Sequence, residues 1–115
     1  MTAGSGIQLT DAARGFLKAL ASDTRQQILF LFEGGVELTV GEVAERLSLA
    51  QSAASTHLAT LRDGGVLTSR REWKTVYYRA DPDGVRRALI DLQAALAACC
   101  PPGELPSAGG CGQPE

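Results

Sequence analysis

Near the start of the chain, apolar residues return every three or four positions, so that Phe16, Leu17 and Leu20 share one helical face. That spacing predicts a helix over residues 11 to about 21, with Thr10 placed to cap it. Asp23 is placed to cap a second helix over residues 24 to about 32. Gly34-Gly35 would end it, since glycine accepts the left-handed turn that follows a helix. Thr39-Val40-Gly41-Glu42 has the spacing of a capping box, in which the Thr39 hydroxyl accepts from the Glu42 N–H and the Glu42 carboxylate accepts from the Thr39 N–H. A short helix follows with Val43, Ala44 and Leu47 inward. Ser48-Leu49-Ala50 makes a tight turn, and a longer helix runs over residues 51 to 63 before Gly64-Gly65. A short helix, a three-residue turn and a second helix make a helix-turn-helix pattern.

The periodicity then changes. Residues 66–72 and 75–80 are rich in β-branched and aromatic side chains and predict two strands, joined near Glu72-Trp73-Lys74 as a hairpin wing. Asp81 can cap a last helix that Pro82 opens. Its apolar stripe is Val85, Ala88, Leu89, Leu92, Ala95 and Leu96, continued by Cys99, and Pro101-Pro102 stop it. The expected fold is mainly α (α+β): a winged helix-turn-helix of four helices, two strands and a fifth helix. Residues 10–100 are expected to form this winged-helix domain. A flexible N-terminus at 1–9 precedes it, and a Gly/Pro-rich tail at 101–115 follows.

With 115 residues and 44% hydrophobic composition, the chain can build one small core. A symmetric dimer would enlarge it, and paired DNA readers are usually dimers. The net charge of −2 argues against a general nucleic-acid coat protein. The basic residues are gathered locally, however. Between Gln51 and Arg79 stand Arg62, Arg70, Arg71, Lys74 and Arg79, against only Asp63 and Glu72. No apolar run has transmembrane length, and the first residues lack the basic start and apolar centre of a signal peptide. The chain is expected to be cytoplasmic, with no membrane partner and with reduced thiols.

The helix beginning at Gln51 has two unlike faces. Ala54, Leu58 and Leu61 form a core stripe, while Ser52, Ala53, Thr56, Ala59 and Thr60 lie roughly opposite. An ordinary solvated face would carry Lys and Glu. A small, polar, uncharged face suits the major groove, where Gln51, Ser52, Ser55, Thr56 and Thr60 can hydrogen-bond base edges or phosphates. Arg62, Arg70, Arg71 and Lys74 are candidate phosphate contacts, though any one of them is also an ordinary solvated cation. His57, at the flank of the core stripe, is open between a phosphate contact and a structural hydrogen bond, with metal ligation ranked below both. Trp73 at the wing tip either packs on the wing or touches the DNA edge.

Several linked motifs now resemble the ArsR/SmtB family of winged-helix repressors. They are Lys18-Ala19-Leu20-Ala21-Ser22-Asp23-Thr24-Arg25, Leu38-Thr39-Val40-Gly41-Glu42-Val43-Ala44 and Gln51-Ser52-Ala53-Ala54-Ser55-Thr56-His57-Leu58. Leu61-Arg62-Asp63-Gly64-Gly65-Val66-Leu67 and Val76-Tyr77-Tyr78-Arg79 complete the set. The resemblance runs from about residue 17 to 96. It implies a homodimer held by the first and last helices, and binding to double-stranded operator DNA until an inducer arrives. Ala50 departs from the Ser that the family often has at the cap of this helix; losing such a cap costs about 1 kcal/mol, for which Ser48 or Gln51 would have to compensate.

Two metal sites that the family implies are missing. The Cys-x-Cys positions at the start of the third helix are Thr39 and Gly41, and a zinc site on the last helix needs several histidines where the chain has only His57. Cys99, Cys100 and Cys111 remain. Soft thiolates select soft ions, and trivalent arsenic or antimony suits three sulfurs. An adjacent Cys pair followed by a third Cys resembles an arsenic-sensing branch of the family, with As(III) or Sb(III) as inducer. A thiol redox sensor is the alternative. Cys99 as a plain core residue and Cys111 as an idle thiol stand against both. No Gly-rich anion loop precedes these cysteines, so an enzyme such as an arsenate reductase is not expected.

Overall fold

The computed structural model describes residues 8–100. Thr10 caps α1 (Asp11–Ala19), its hydroxyl oxygen accepting from the Ala13 N–H at 3.1 Å. The same hydroxyl donates to Asp91 at 2.9 Å, which ties the start of α1 to the last helix. α1 stops two residues short of the sequence expectation. Ser22 rather than Asp23 caps α2 (Asp23–Phe30), accepting from the Arg25 N–H at 3.2 Å. Asp23 becomes the first helical residue, where its charge meets the positive end of the helix dipole. α2 ends at Phe30, and a single 3-10 turn over Glu33–Gly35 follows, with Gly34 and Gly35 at φ 81 and 82°.

The capping box forms as the sequence predicts. Glu42 N–H donates to the Thr39 hydroxyl at 3.2 Å, and Thr39 N–H to the Glu42 carboxylate at 2.8 Å, at the head of α3 (Val40–Leu47). Ser48 closes α3 in the left-handed region at φ 55°. α4 (Gln51–Asp63) then begins with no side-chain cap. Neither Ser48 nor Gln51 replaces the serine that Ala50 lacks.

The sheet has one strand more than the sequence predicts. β1 (Leu38–Thr39), β2 (Leu67–Glu72) and β3 (Thr75–Ala80) pair antiparallel in the order β1-β3-β2. Leu38 lies opposite Tyr78, and Leu67 opposite Ala80. Side chains alternate across a strand. Leu67 and Tyr78 are buried, so Leu67, Ser69, Arg71, Val76 and Tyr78 take the inner face. Arg70, Glu72, Tyr77 and Arg79 take the outer one.

The core gathers Phe16 and Ala19 of α1, Ile28 of α2, Phe32, Val43 of α3, and Ala54, Leu58 and Leu61 of α4. Leu38, Ala44, Val66, Leu67, Tyr78 and Ala88 complete it. α5 (Pro82–Cys99) is capped by Asp81, whose carboxylate accepts from the Gly84 N–H at 3.1 Å. Ala88 is the buried centre of its stripe, but Leu89 is 47% exposed and Leu96 54%. Leu17 of α1 is likewise exposed, so the two helices present uncovered apolar surface. Gly64, the C-cap of α4, packs against α1: a Cβ there would stand 2.5 Å from the Gly15 carbonyl oxygen and 2.8 Å from the Ala19 Cβ.

Candidate nucleic-acid interface and thiol pair

The recognition-type helix α4 turns Ala54, Leu58 and Leu61 fully inward and leaves Gln51, Ser52, Ser55 and Thr56 exposed. The Thr56 hydroxyl donates to the Ser52 carbonyl and the Thr60 hydroxyl to the Thr56 carbonyl, both at 3.1 Å. Their protons are thus engaged within the helix, and each oxygen is left as an acceptor. Thr60 is half-buried beside Gly15, Lys18 and Gly64, on the side facing α1.

His57 is half-buried and structural in its contacts. Arg25 Nη1 lies 3.3 Å from His57 Nδ1. A guanidinium only donates, so Nδ1 accepts and the ring proton sits on Nε2. Arg25 also donates through Nε to the Ala19 carbonyl at 2.8 Å and through Nη2 to the Lys18 carbonyl at 3.1 Å. One side chain therefore joins the end of α1 to α2 and α4.

The wing cations divide by face. Arg70, on the outer face, is clamped: it meets both Glu37 oxygens at 2.9 and 2.8 Å, meets Glu72 at 3.0 Å, and lies 4.6 Å from the centre of the Tyr77 ring. The hydrogen bond from Arg70 holds the Glu37 carboxyl below its usual range, and both acids hold Arg70 firmly protonated. Arg71 shares the inner face with Val76, toward the helices. Among the described residues, Arg71 and Lys74 enter no ion pair, while Arg62 has only an exposed contact to Asp63 at 3.4 Å. Lys74, Thr75 and Val76 line one groove with Thr39, Val40, Gly41 and Gln51, which brings the wing beside the head of α4. Glu37 and Arg25 were invisible as partners in the sequence, because each acts across more than thirty residues.

Cys99 and Cys100 are both exposed at the end of α5, so Cys99 is not a core residue. A hydrogen bond with Cys99 pushes the Cys100 thiol above its ordinary range, with the charge of a Cys99 thiolate and slight burial adding to it. Among the described residues, no three His, Cys, Asp or Glu side chains gather as a metal site. Cys111, and the expectations for the two chain ends at 1–7 and 101–115, lie outside the described residues.

The pattern described as the bacterial regulatory protein, arsR family, matches residues 22–69. The chain is 46% identical over 76 residues to the transcriptional activator HlyU of Vibrio cholerae, covering 66% of this chain and 68% of that protein. This chain belongs to the ArsR family. It is also 44% identical over 66 residues to the arsenic resistance transcriptional regulator ArsR1 of Pseudomonas putida, covering 57% of this chain and 52% of that one. Among solved structures it resembles a homodimeric winged helix-turn-helix DNA-binding domain from Mycobacterium bovis, a possible ArsR-family regulator. The TM-score is 0.62 at 32% identity, covering 84% of this chain and 92% of that one. This ArsR-family protein is therefore a DNA-binding transcriptional regulator and not an enzyme. No helix among its described residues is long and apolar enough to cross a membrane.

Proposed function

We propose that this ArsR-family regulator is a repressor that binds double-stranded operator DNA as a homodimer and releases it on capturing trivalent arsenic or antimony. The thiolates of Cys99, Cys100 and Cys111 hold the ion. The observation that carries this reading is the placement of two adjacent, exposed thiols at the end of α5, the helix whose apolar face is left uncovered beside Leu17. Two neighbouring sulfurs fit a soft ion. Cys111 supplies the third donor in this reading. The bound ion would link the helix end to the chain beyond it.

In this reading, Leu17, Leu89 and Leu96 form the dimer seam, as the homodimeric relative supports. Gln51, Ser52, Ser55 and Thr56 read base edges, with Thr60 beside them. Arg71 and Lys74 hold phosphates, assisted by Arg62 and by the uncapped N–H groups of the first turn of α4. His57 braces the reader through Arg25, and Arg70 braces the wing through Glu37. An inducer acts only by binding two arrangements unequally. A shift at α5 passes to α1, and from Gly15 to Gly64 at the end of α4. The paired α4 helices then miss major grooves about 34–36 Å apart.

A second reading is a thiol redox-responsive regulator of the same fold. The exposure of both thiols favours it, and one similar structure is that of reduced HlyU. Arsenite titrated into the reduced protein on labelled operator DNA, followed by fluorescence anisotropy, separates the two. Release at about one ion per subunit, lost in Cys99→Ser, supports the metalloid reading. Release by oxidant alone replaces it with the redox reading. Retention under both treatments refutes both inducers and leaves the DNA reader standing.

A further inference from the structure

Most of the exposed large apolar side chains fall on elements with a use for them. Leu17, Leu89, Ile90 and Leu96 lie on α1 and α5, and Trp73 lies at the wing tip. Phe30, 71% exposed, and Val36, 42% exposed, stand apart, on either side of the Glu33–Gly35 turn. Phe30 opens onto a groove of about 420 Å³, a size that small-molecule sites commonly have. Leu29, Phe30 and Phe32 line it from α2 and the residues just after it, and Ala80 and Pro82 line it from the junction of β3 and α5. Gly34 and Gly35 complete the wall, both at positive φ. A Cβ on either glycine would meet nothing within 4 Å, so the chain's own side chains leave that wall open.

The lining carries one charge of each sign, Arg79 and Glu33. Among the described residues neither enters an ion pair. Glu37 feels the charge of Arg79, but both Glu37 oxygens already accept from Arg70. The Arg79 guanidinium is thus left without an acid partner beside apolar surface. A planar guanidinium meets a carboxylate through two parallel N–H···O bonds, which fixes the head of a ligand whose apolar body can cover Phe30. The groove lies at the start of α5, whereas Cys99 and Cys100 lie at its end, roughly 25 Å away along the helix.

We propose that this groove binds a small carboxylate with a flat apolar body, its head on Arg79 and its rings against Phe30 and Pro82. The site is separate from the thiols and from the exposed face of α4. The experiment titrates naphthoate, a fused-ring aromatic acid, into the full, reduced, isotope-labelled chain and follows the backbone amide signals by NMR. Naphthylmethanol, which keeps the rings and lacks the charge, is titrated in parallel.

Saturable shifts are expected at Phe30, Gly34, Gly35 and Ala80, with naphthoate held about tenfold more tightly than naphthylmethanol, as a hydrogen-bonded charge provides. Arg79→Gln should abolish that preference and leave naphthylmethanol binding unchanged. Glu33→Gln should tighten naphthoate about twofold by removing a like charge. Phe30→Ser should weaken both ligands and keep the melting temperature, since the side chain it replaces is exposed. The absence of saturable shifts at these residues, shifts confined to Leu17, Leu89 and Leu96, or a preference that survives in Arg79→Gln would overturn the proposal. Weaker naphthoate binding in Glu33→Gln would overturn it as well, because Glu33 would then be a partner of the ligand and the carboxylate assignment would be wrong.

Discussion

Arg25 and His57 meet at 3.3 Å, a contact that fixes the recognition helix against the junction of the first two helices. The same guanidinium also takes two carbonyls at the end of α1. Arg25→Met should lower unfolding stability by about 1–3 kcal/mol, measured by urea titration, since it leaves part-buried acceptors without donors. His57→Ala should leave the salt dependence of DNA binding unchanged. A shallower slope in that variant would return His57 to phosphate contact.

The two adjacent wing arginines should behave oppositely. Arg71→Ala should weaken binding to all sequences alike and lower the slope of log affinity against log salt by about one. Arg70→Ala should keep that slope and loosen the wing instead. Anisotropy titrations at several salt concentrations decide between them.

The Glu37–Arg70 pair carries a pH dependence. Glu37 has its carboxyl lowered in the folded chain from an ordinary 4.5, so the unfolded chain binds more protons in the acid range. The pair's contribution is present above that ordinary value and is lost as pH falls through the lowered one. Glu37→Gln should lower stability in the neutral region, converge with the parent chain at acid pH where the pair is already lost, and so flatten the acid limb of a stability–pH curve.

Gly64→Ala forces a methyl group against the Gly15 backbone. An overpacking cost of about 1–3 kcal/mol is expected by chemical denaturation. Its effect should exceed that of Gly41→Ala, where a Cβ would meet nothing within 4 Å.

Leu89→Glu places a charge on the uncovered face of α5. Sedimentation should then show a monomer. Operator affinity should fall about 100-fold or more, because the second recognition helix is no longer tethered to the first. A dimer that survives this change would move the seam elsewhere.

Local chemistry in the sequence located most of the fold. The Thr39–Glu42 capping box, the Ala54–Leu58–Leu61 stripe, the Asp81-Pro82 helix start and the glycines after α4 each act within a few residues, so their spacing is their signature. β1 escaped because a two-residue strand has no period, and its pairing with Tyr77 and Tyr78 is long-range. Ser22 and Asp23 are both good caps one residue apart, and only the backbone distinguishes them. The candidate reader was legible in its uncharged face. The engagement of Arg70 and His57 was not, since Glu37 and Arg25 reach them from other elements. The exposure of Leu89 and Leu96 was also hidden, because a periodic stripe looks the same whether its cover comes from its own chain or from a second one.

The first two exposed turns of α4 bear no charge, whereas Arg71 and Lys74 sit on the neighbouring wing. In the proposed reading, discrimination and grip are therefore housed in different elements. A change in ionic strength acts on the cations and raises or lowers occupancy at every site together. The order in which sites fill would then be set by neutral hydrogen bonds and stay the same. A cell passing through osmotic stress would alter how much DNA this protein covers without altering which sequences it prefers.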